Sequence, residues 1–133
     1  MEGGTDIKKI MIVDDEQDQV FSIKTGFETE YPEEYEIIGA ESGKRCFEIL
    51  ENDRIPDLIL LDIMMPVMNG WEVFDKLRAN QKYKDIPVIF LTARSDGFAA
   101  NAGSMIADDY IEKPIDIDEL KARIEKVLKI VKK

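Results

Sequence analysis

Three aspartates in this sequence each follow a short run of apolar residues. Asp14 and Asp15 come after residues 10–13, and Asp62 comes after residues 58–61. Uninterrupted apolar runs of this length are typical of strands that are buried on both faces of a parallel sheet. Because reacting groups collect at the carboxyl ends of such strands, we expect the three carboxylates to lie together. For one isolated aspartate, capping of a turn would be the simpler interpretation.

A hydroxyl and an ammonium group follow two further apolar runs. Thr92 ends the run at residues 87–91, and Lys113 ends a short run that begins at Asp109 and is followed by Pro114. In a single parallel sheet, all four strands have their carboxyl ends at the same edge. Three carboxylates, one hydroxyl and one ammonium group are therefore predicted to converge there.

The residue types indicate a particular chemistry. Three clustered carboxylates repel one another unless a cation lies among them, and a few oxygen ligands with room for water and phosphate suit Mg²⁺. The chain has no histidine and one cysteine, so the usual zinc and copper ligands are missing. A carboxylate can attack phosphorus to give an aspartyl phosphate, and metal, lysine and hydroxyl would then offset the charge on the transferring oxygens.

The sequence resembles the receiver domain of two-component response regulators over nearly the whole chain, from about residue 8 to residue 131. Each matching motif is weak alone, but all of them occur in order and at suitable spacing. The motifs are Val13-Asp14-Asp15-Glu16, Leu61-Asp62-Ile63-Met64-Met65-Pro66, Met68-Asn69-Gly70, Leu91-Thr92-Ala93 and Asp108-Asp109-Tyr110-Ile111-Glu112-Lys113-Pro114.

The resemblance implies roles for the acidic residues. Asp62 would be the phosphoacceptor. Asp14 and Asp15 would hold Mg²⁺, one of them through water, with Asp62 and the backbone carbonyl of Met64 completing the protein ligands. Helix capping at a strand-to-helix turn is the alternative for Asp14 and Asp15.

The resemblance also implies roles at the other strand ends. Thr92 and Lys113 would contact the phosphoryl group, Tyr110 would reorient on activation, and the Lys113–Pro114 peptide bond would be cis. Three alternatives stay open: a strand-end hydroxyl satisfied locally at Thr92, plain core packing for Tyr110, and a simple turn at Lys113–Pro114.

Five β-then-α units follow one another without a repeat or a linker. This order predicts a single α/β domain over residues 1–133, with a loose leader at 1–6. It predicts a doubly wound, flavodoxin-like fold whose five-stranded parallel sheet has the strand order 2-1-3-4-5. The predicted helices cover residues 17–30, 43–52, 70–80, 95–105 and 117–131, and Asp116 with Glu119 is expected to cap the last one.

The predicted fourth helix is the least regular segment. Gly97 and Gly103 lie inside it, and Ile106 stands where the family usually has a glycine. Glycine inside a helix costs about 1 kcal/mol relative to alanine. An early end at Gly103 is the simplest interpretation. We further expect residues 95–106 to open locally and to become ordered on phosphorylation, which would change the face formed by this helix, the fifth strand and the last helix.

Composition narrows the class of protein. The formal net charge of -10 argues against nucleic-acid binding, which needs a basic surface. No apolar run approaches the ~20 residues of a membrane span, and no signal-peptide core begins the chain. The unpaired Cys46, at an apolar-periodic position, is expected in the core of a cytoplasmic protein. Trp71 is either a half-exposed core residue or a partner contact.

The leading functional prediction is a switch that accepts phosphoryl from the phosphohistidine of a sensor histidine kinase. The chain would catalyse only its own phosphorylation and dephosphorylation. It ends soon after the last helix, so we expect no output domain, and docking to another protein or onward relay would follow. We expect a monomer or a weak, phosphorylation-linked dimer. The alternatives are a Mg²⁺-dependent aspartyl-phosphate phosphohydrolase, disfavoured by Met64 where a general acid is usual, and an unphosphorylated structural receiver.

Overall fold

The structure, a computed structural model, describes residues 6–92 and 107–131. Strands and helices alternate along the chain. The strands are β1 (Lys8–Val13), β2 (Tyr35–Ala40), β3 (Leu58–Asp62), β4 (Val88–Thr92) and β5 (Asp109–Glu112). The described helices are α1 (Gln17–Glu30), α2 (Gly43–Glu51), α3 (Gly70–Arg78) and the last helix of the chain, α4 (Ile117–Val131).

The five strands form one parallel sheet in the order β2-β1-β3-β4-β5. The predicted doubly wound topology is therefore confirmed. Every residue of the central strands β3 and β4 is buried, as their uninterrupted apolar sequences predict for strands covered on both faces. The carboxyl ends of β1, β3, β4 and β5 lie side by side at one edge.

Alternate residues of each strand pack into two core layers on opposite faces of the sheet. Met11 and Val13 belong to a layer that includes the apolar faces of α2 and α3. Ile10 and Ile12 belong to a second layer, with the apolar residues of α1 and α4. Cys46 is fully buried in the first layer, as predicted. The sheet is thus fixed from both sides.

Side chains at the helix starts satisfy free backbone N–H groups. The hydroxyl of Ser42 accepts from the N–H of Arg45 at 3.1 Å, and Asp116 Oδ1 accepts from the N–H of Glu119 at 2.7 Å. The predicted cap at Asp116 is confirmed. Helix α3 ends at Arg78, two residues before the predicted end, because Asn80 instead begins a turn in which its carbonyl accepts from the N–H of Tyr83 at 3.1 Å.

Two sequence predictions fall outside the described residues: the helix over residues 95–105 with its glycines, and all but the last residue of the loose leader at 1–6. Within the described part of the chain, no helix is both long enough and apolar enough to cross a membrane.

Candidate functional site

The fold brings the predicted site residues to one edge of the sheet. Asp62 is the last residue of β3 and Thr92 the last of β4, while Asp14 and Lys113 directly follow β1 and β5. Asp62 pairs in register with Leu91, the residue before Thr92. The residues meet because parallel strands have their carboxyl ends at one edge of the sheet. Asp14 and Lys113, which are 99 residues apart in the chain, are brought into contact in this way.

Three carboxylates form the centre of the site. One oxygen from each of Asp14, Asp15 and Asp62 lies within 4.8 Å of the others. Asp14 and Asp62 are buried, whereas Asp15 is exposed. Burial, and then the negative charge of Asp14, raise the pKa of Asp62 from 3.8 to about 6, although Lys113 opposes this change. The carboxyl group of Asp62 is therefore harder to ionise here than in water.

Lys113 supplies the cation of the site. Its Nζ donates to Asp14 Oδ2 at 2.9 Å and to Asp62 Oδ1 at 3.2 Å, and Glu16 Oε1 lies 3.7 Å away. Burial alone would lower the pKa of Lys113, but the hydrogen bonds and charges of the two aspartates outweigh burial and raise it. The Lys113–Pro114 peptide bond is cis, the isomer that the family resemblance implied.

The chemistry of this donor set fits a magnesium ion. The three carboxylates offer hard oxygen ligands, and one ammonium group does not balance their charge. A cavity of about 440 Å³ opens onto Asp62 and Lys113 and is also lined by Asp15 and Met64. The side chain of Met64 is 68% exposed, and the backbone ligand that the resemblance implies at Met64 stays a prediction.

The loop between β3 and α3 is held tightly against Asp62. A side chain at Gly70 would place its Cβ 2.4 Å from the backbone oxygen of Asp62, so only glycine allows this approach. The N–H of Gly70 donates to the carbonyl of Ile63 at 2.8 Å. Val67 has a φ of 69°, which is strained for a β-branched residue. From the sequence, Met68-Asn69-Gly70 was predicted only as a family motif, and this close approach was not expected.

A reciprocal capping box fixes the start of α3. Asn69 Oδ1 accepts from the N–H of Glu72 at 3.0 Å, and Glu72 Oε1 accepts from the N–H of Asn69 at 2.9 Å. The signal was present in the sequence, because an asparagine followed three residues later by glutamate is a capping pattern. The box and Gly70 together orient the backbone that follows Asp62.

Tyr110 packs inward from β5. Its ring stacks on Phe90 with a centroid separation of 5.2 Å and lies 6.5 Å from the ring of Trp71. The hydroxyl is buried and has no hydrogen-bond partner among the described residues. Burial raises the pKa of Tyr110 to about 12. Core packing explains the ring, but it does not explain a buried hydroxyl without a partner among the described residues, since buried polar groups are normally satisfied.

A clamp between α4 and β5, which sequence analysis missed, lies next to Tyr110. Arg123 donates to both carboxylate oxygens of Asp109 at 2.7 Å and to the carbonyl of Tyr110 at 3.0 Å. Burial alone would raise the pKa of Asp109, but hydrogen bonds from Arg123 and from the Tyr110 N–H lower it. No local sequence signal joins two residues that are 14 positions apart on different elements.

Known proteins are similar to this chain in sequence and in fold. The family model described as the response regulator receiver domain matches residues 10–125. The chain is 41% identical to the response regulator SaeR of Staphylococcus aureus over 125 residues, which cover 93% of this chain and 52% of that protein. It is 42% identical over 116 residues to the "Probable cyclic di-GMP phosphodiesterase" of Vibrio cholerae, which cover 86% of this chain and 25% of that protein.

A solved structure agrees with these matches. The signal receiver domain of a signal transduction histidine kinase from Syntrophus aciditrophicus has a TM-score of 0.80 at 31% identity, with 95% of this chain and 93% of that chain covered. The chain is a doubly wound domain in which carboxylates and a lysine lie together at the carboxyl ends of the parallel strands. The chain belongs to the response regulator receiver domain family of two-component signalling. It spans about half the length of SaeR and a quarter of the Vibrio protein.

Proposed function

We propose that this domain is a phosphorylation-controlled switch with Asp62 as its phosphoacceptor. The observation that carries the proposal is the position of Asp62, which is buried at a strand end with Asp14 and Lys113 beside it and the cavity in front. A nucleophilic carboxylate needs neighbouring positive charge to receive a phosphoryl group. Lys113, within 3.2 Å of Asp62 Oδ1, provides it.

The proposed reaction takes a phosphoryl group from a phosphohistidine on a sensor histidine kinase. An Oδ atom of Asp62 attacks phosphorus, the P–N bond breaks, and its electron pair returns to the imidazole nitrogen, which is then protonated. Lys113 moves its hydrogen bond from the carboxylate to a phosphoryl oxygen. The hydroxyl of Thr92, on the neighbouring strand, donates to another phosphoryl oxygen.

Asp14, Asp15 and Asp62, with the backbone carbonyl of Met64, would hold Mg²⁺ in this proposal. When bound, the ion would neutralise charge on the carboxylates and on the transferring phosphoryl oxygens. The raised pKa of Asp62 supports this assignment, because a divalent cation would relieve the repulsion that burial intensifies. The tight loop at Gly70 would keep the Met64 backbone in place for this role.

The conformational response would pass through Thr92 and Tyr110. The new hydrogen bond from the Thr92 hydroxyl would draw its loop towards Asp62 and leave room for the Tyr110 ring to move. Among the described residues the buried hydroxyl of Tyr110 has no hydrogen-bond partner, which supports this step, because a position with a partner would be favoured over the present one. The Arg123 clamp on the Tyr110 carbonyl would hold the backbone while the ring changes rotamer.

In this proposal the domain acts in the cytoplasm. It catalyses only its own phosphorylation and dephosphorylation. Its changed face would bind a partner protein or pass phosphoryl onward, as a monomer or a weak phosphorylation-linked dimer. The acidic charge of -10 supports a protein partner over nucleic acid.

Intact-mass spectrometry after incubation with acetyl phosphate tests the proposal. With Mg²⁺ present, the protein should gain the mass of one phosphoryl group, and EDTA should prevent the gain. The phosphorylated protein should lose the group on exposure to hydroxylamine, which cleaves acyl phosphates. Equal labelling with and without divalent metal would contradict the metal assignment, and no labelling under either condition would contradict the switch itself.

A further inference from the structure

Glu16 lies at the mouth of the site but is used in none of the steps above. Its side chain is 65% exposed, and Oε1 lies 3.7 Å from Lys113 Nζ. It lines the cavity that opens onto Asp62 and Lys113. Any phosphoryl donor that reaches Asp62 through this cavity therefore passes close to the Glu16 charge.

Local structure fixes the backbone of Glu16 and leaves its side chain free to interact. The N–H of Glu16 donates to Asp14 Oδ1 at 2.9 Å, and its carbonyl accepts from the N–H of Gln19 at 3.0 Å. Although Glu16 occupies the N-cap position of α1, its side chain makes no capping hydrogen bond. The carboxylate is thus available to the site and to an approaching molecule.

Within residues 6–92 and 107–131, the charge of Glu16 has one cation close by, Lys113 at 3.7 Å. Lys113 makes shorter contacts, 2.9 and 3.2 Å, with the buried carboxylates of Asp14 and Asp62. Asp15, beside Glu16, is also an exposed carboxylate. In the proposed function Mg²⁺ would offset the charge of Asp14, Asp15 and Asp62, but Glu16 is not one of its ligands. A small phosphate anion that enters the cavity therefore still meets the Glu16 carboxylate as a like charge, and like charges within a few ångströms repel measurably even in water.

We propose that Glu16 selects the phosphodonor, an inference that rests on the proposed function. Its carboxylate disfavours small phosphate dianions and favours a protein donor that presents a basic side chain beside its phosphohistidine. Such a side chain would pair with the exposed Glu16 carboxylate as the donor approaches, so attraction replaces repulsion. The alternative is that Glu16 merely favours the N-terminus of α1, a role that would affect stability without changing donor preference.

Phosphorylation rates with two small donors test the first half of the proposal. Acetyl phosphate is a dianion at neutral pH, and phosphoramidate carries one negative charge fewer. At saturating Mg²⁺ and low ionic strength, Glu16→Gln should be phosphorylated by acetyl phosphate roughly three- to tenfold faster than wild type. The gain should be smaller with phosphoramidate and should shrink as salt is added. Glu16→Asp, which retains the charge, should stay close to wild type.

Glu28→Gln is the matched control for net charge. Glu28 is exposed on the same helix, about 18 Å further along its axis. Equal rates for the Glu16→Gln and Glu28→Gln variants, or equal acceleration with both donors, would overturn the proposal. If wild type takes phosphoryl from neither donor, the proposed function itself fails. If wild type is phosphorylated but Glu16→Gln behaves like Glu28→Gln, only the role of Glu16 fails.

Phosphohistidine peptides test the second half. Two peptides that differ only in a lysine or a glutamate next to the phosphohistidine should be used as donors. Wild type should prefer the lysine peptide, and most of that preference should disappear in Glu16→Gln but persist in Glu28→Gln. An unchanged preference in Glu16→Gln would show that Glu16 does not select the donor.

Discussion

Lys113 Nζ lies 3.2 Å from Asp62 Oδ1, although 51 positions separate the two residues in the chain. The same ammonium group lies 2.9 Å from the fully buried carboxylate of Asp14. A single cation is thus shared by two buried anions, with a third carboxylate close by. The three carboxylates thus carry more negative charge than Lys113 can balance, and this charge imbalance determines how the site responds to pH, to metal and to substitution.

The imbalance predicts that Asp62→Asn stabilises the metal-free protein at neutral pH. Burial and Asp14 raise the folded-state pKa of Asp62 from 3.8 to about 6, so the folded state binds the proton more tightly than the unfolded state. Protonation of Asp62 therefore stabilises the folded state. This stabilisation is fully present below about pH 4 and is lost as pH rises through about 6. At roughly 1.4 kcal/mol per pH unit, the asparagine variant should gain on the order of 2–3 kcal/mol at pH 7.

Urea unfolding in EDTA, measured between pH 4 and pH 7.5, checks this expectation. Wild type should lose stability across that interval relative to Asp62→Asn. Asp57→Asn is the control, because Asp57 is exposed just before the opposite end of β3. Parallel pH profiles for wild type and Asp62→Asn would show that Asp62 is not destabilised by its surroundings.

Magnesium binding should depend on Asp15 more than on Lys113. Asp15→Ala removes a ligand and should weaken Mg²⁺ binding about tenfold or more, whereas Lys113→Ala removes a competing cation and should not weaken it. Asp18→Ala, which removes an exposed carboxylate in the first turn of α1, is the control. Isothermal titration calorimetry measures all three affinities. Weaker binding in Lys113→Ala than in Asp15→Ala would argue against the ligand assignment.

The sheet and the site edge could be predicted from sequence because the signals are local. Each strand is an apolar run, each run ends in a polar residue, and parallel topology places those ends together. Asp14, Asp62, Thr92 and Lys113 were located in this way. The cap at Asp116 was likewise predicted from a short local pattern.

Contacts between distant elements were not predictable from the same patterns. Periodicity assigns Arg123 to a helix, but it does not reveal that its guanidinium reaches Asp109 on β5. Tyr83 lies between the predicted third helix and the fourth strand, yet its side chain is buried in the core, because a turn can fold back over a sheet face. The positive φ of Val67 is disfavoured for a β-branched residue, so local propensity does not predict it.

The Arg123 clamp should contribute measurably to stability. The paired side chains are 31% and 21% exposed, so Arg123→Ala would leave a largely desolvated Asp109 carboxylate without its partner. We expect a loss of about 1–3 kcal/mol. Arg123→Lys should recover less than half of it, since lysine cannot donate to both oxygens in the same geometry.

The control for this prediction is Arg45→Ala. The Arg45–Glu48 pair is 3.3 Å apart, but its side chains are 48% and 46% exposed. Removing it should cost less than about 1 kcal/mol in urea unfolding. If the two alanine variants lost equal stability, the bidentate pair would have no special role.

Thr92→Ala should separate phosphorylation from the response to it. The variant should still accept phosphoryl, because Asp62 and Lys113 are intact. It should respond poorly, because the hydroxyl that draws the loop inward is gone. Trp71, whose ring lies 6.5 Å from Tyr110, should report the response as a change in its fluorescence. A wild-type fluorescence change in fully phosphorylated Thr92→Ala would refute this coupling.

The most direct test of the account is to map the modified residue. Borohydride reduces an aspartyl phosphate to homoserine, so reduction after acetyl phosphate treatment with Mg²⁺ marks the phosphorylated position for peptide mass spectrometry. We predict homoserine at position 62 alone in wild type and in the Asp57→Asn control, and none in Asp62→Asn. Homoserine at position 14 or 15 in wild type, or undiminished labelling of Asp62→Asn, would contradict the assignment of Asp62 as the phosphoacceptor.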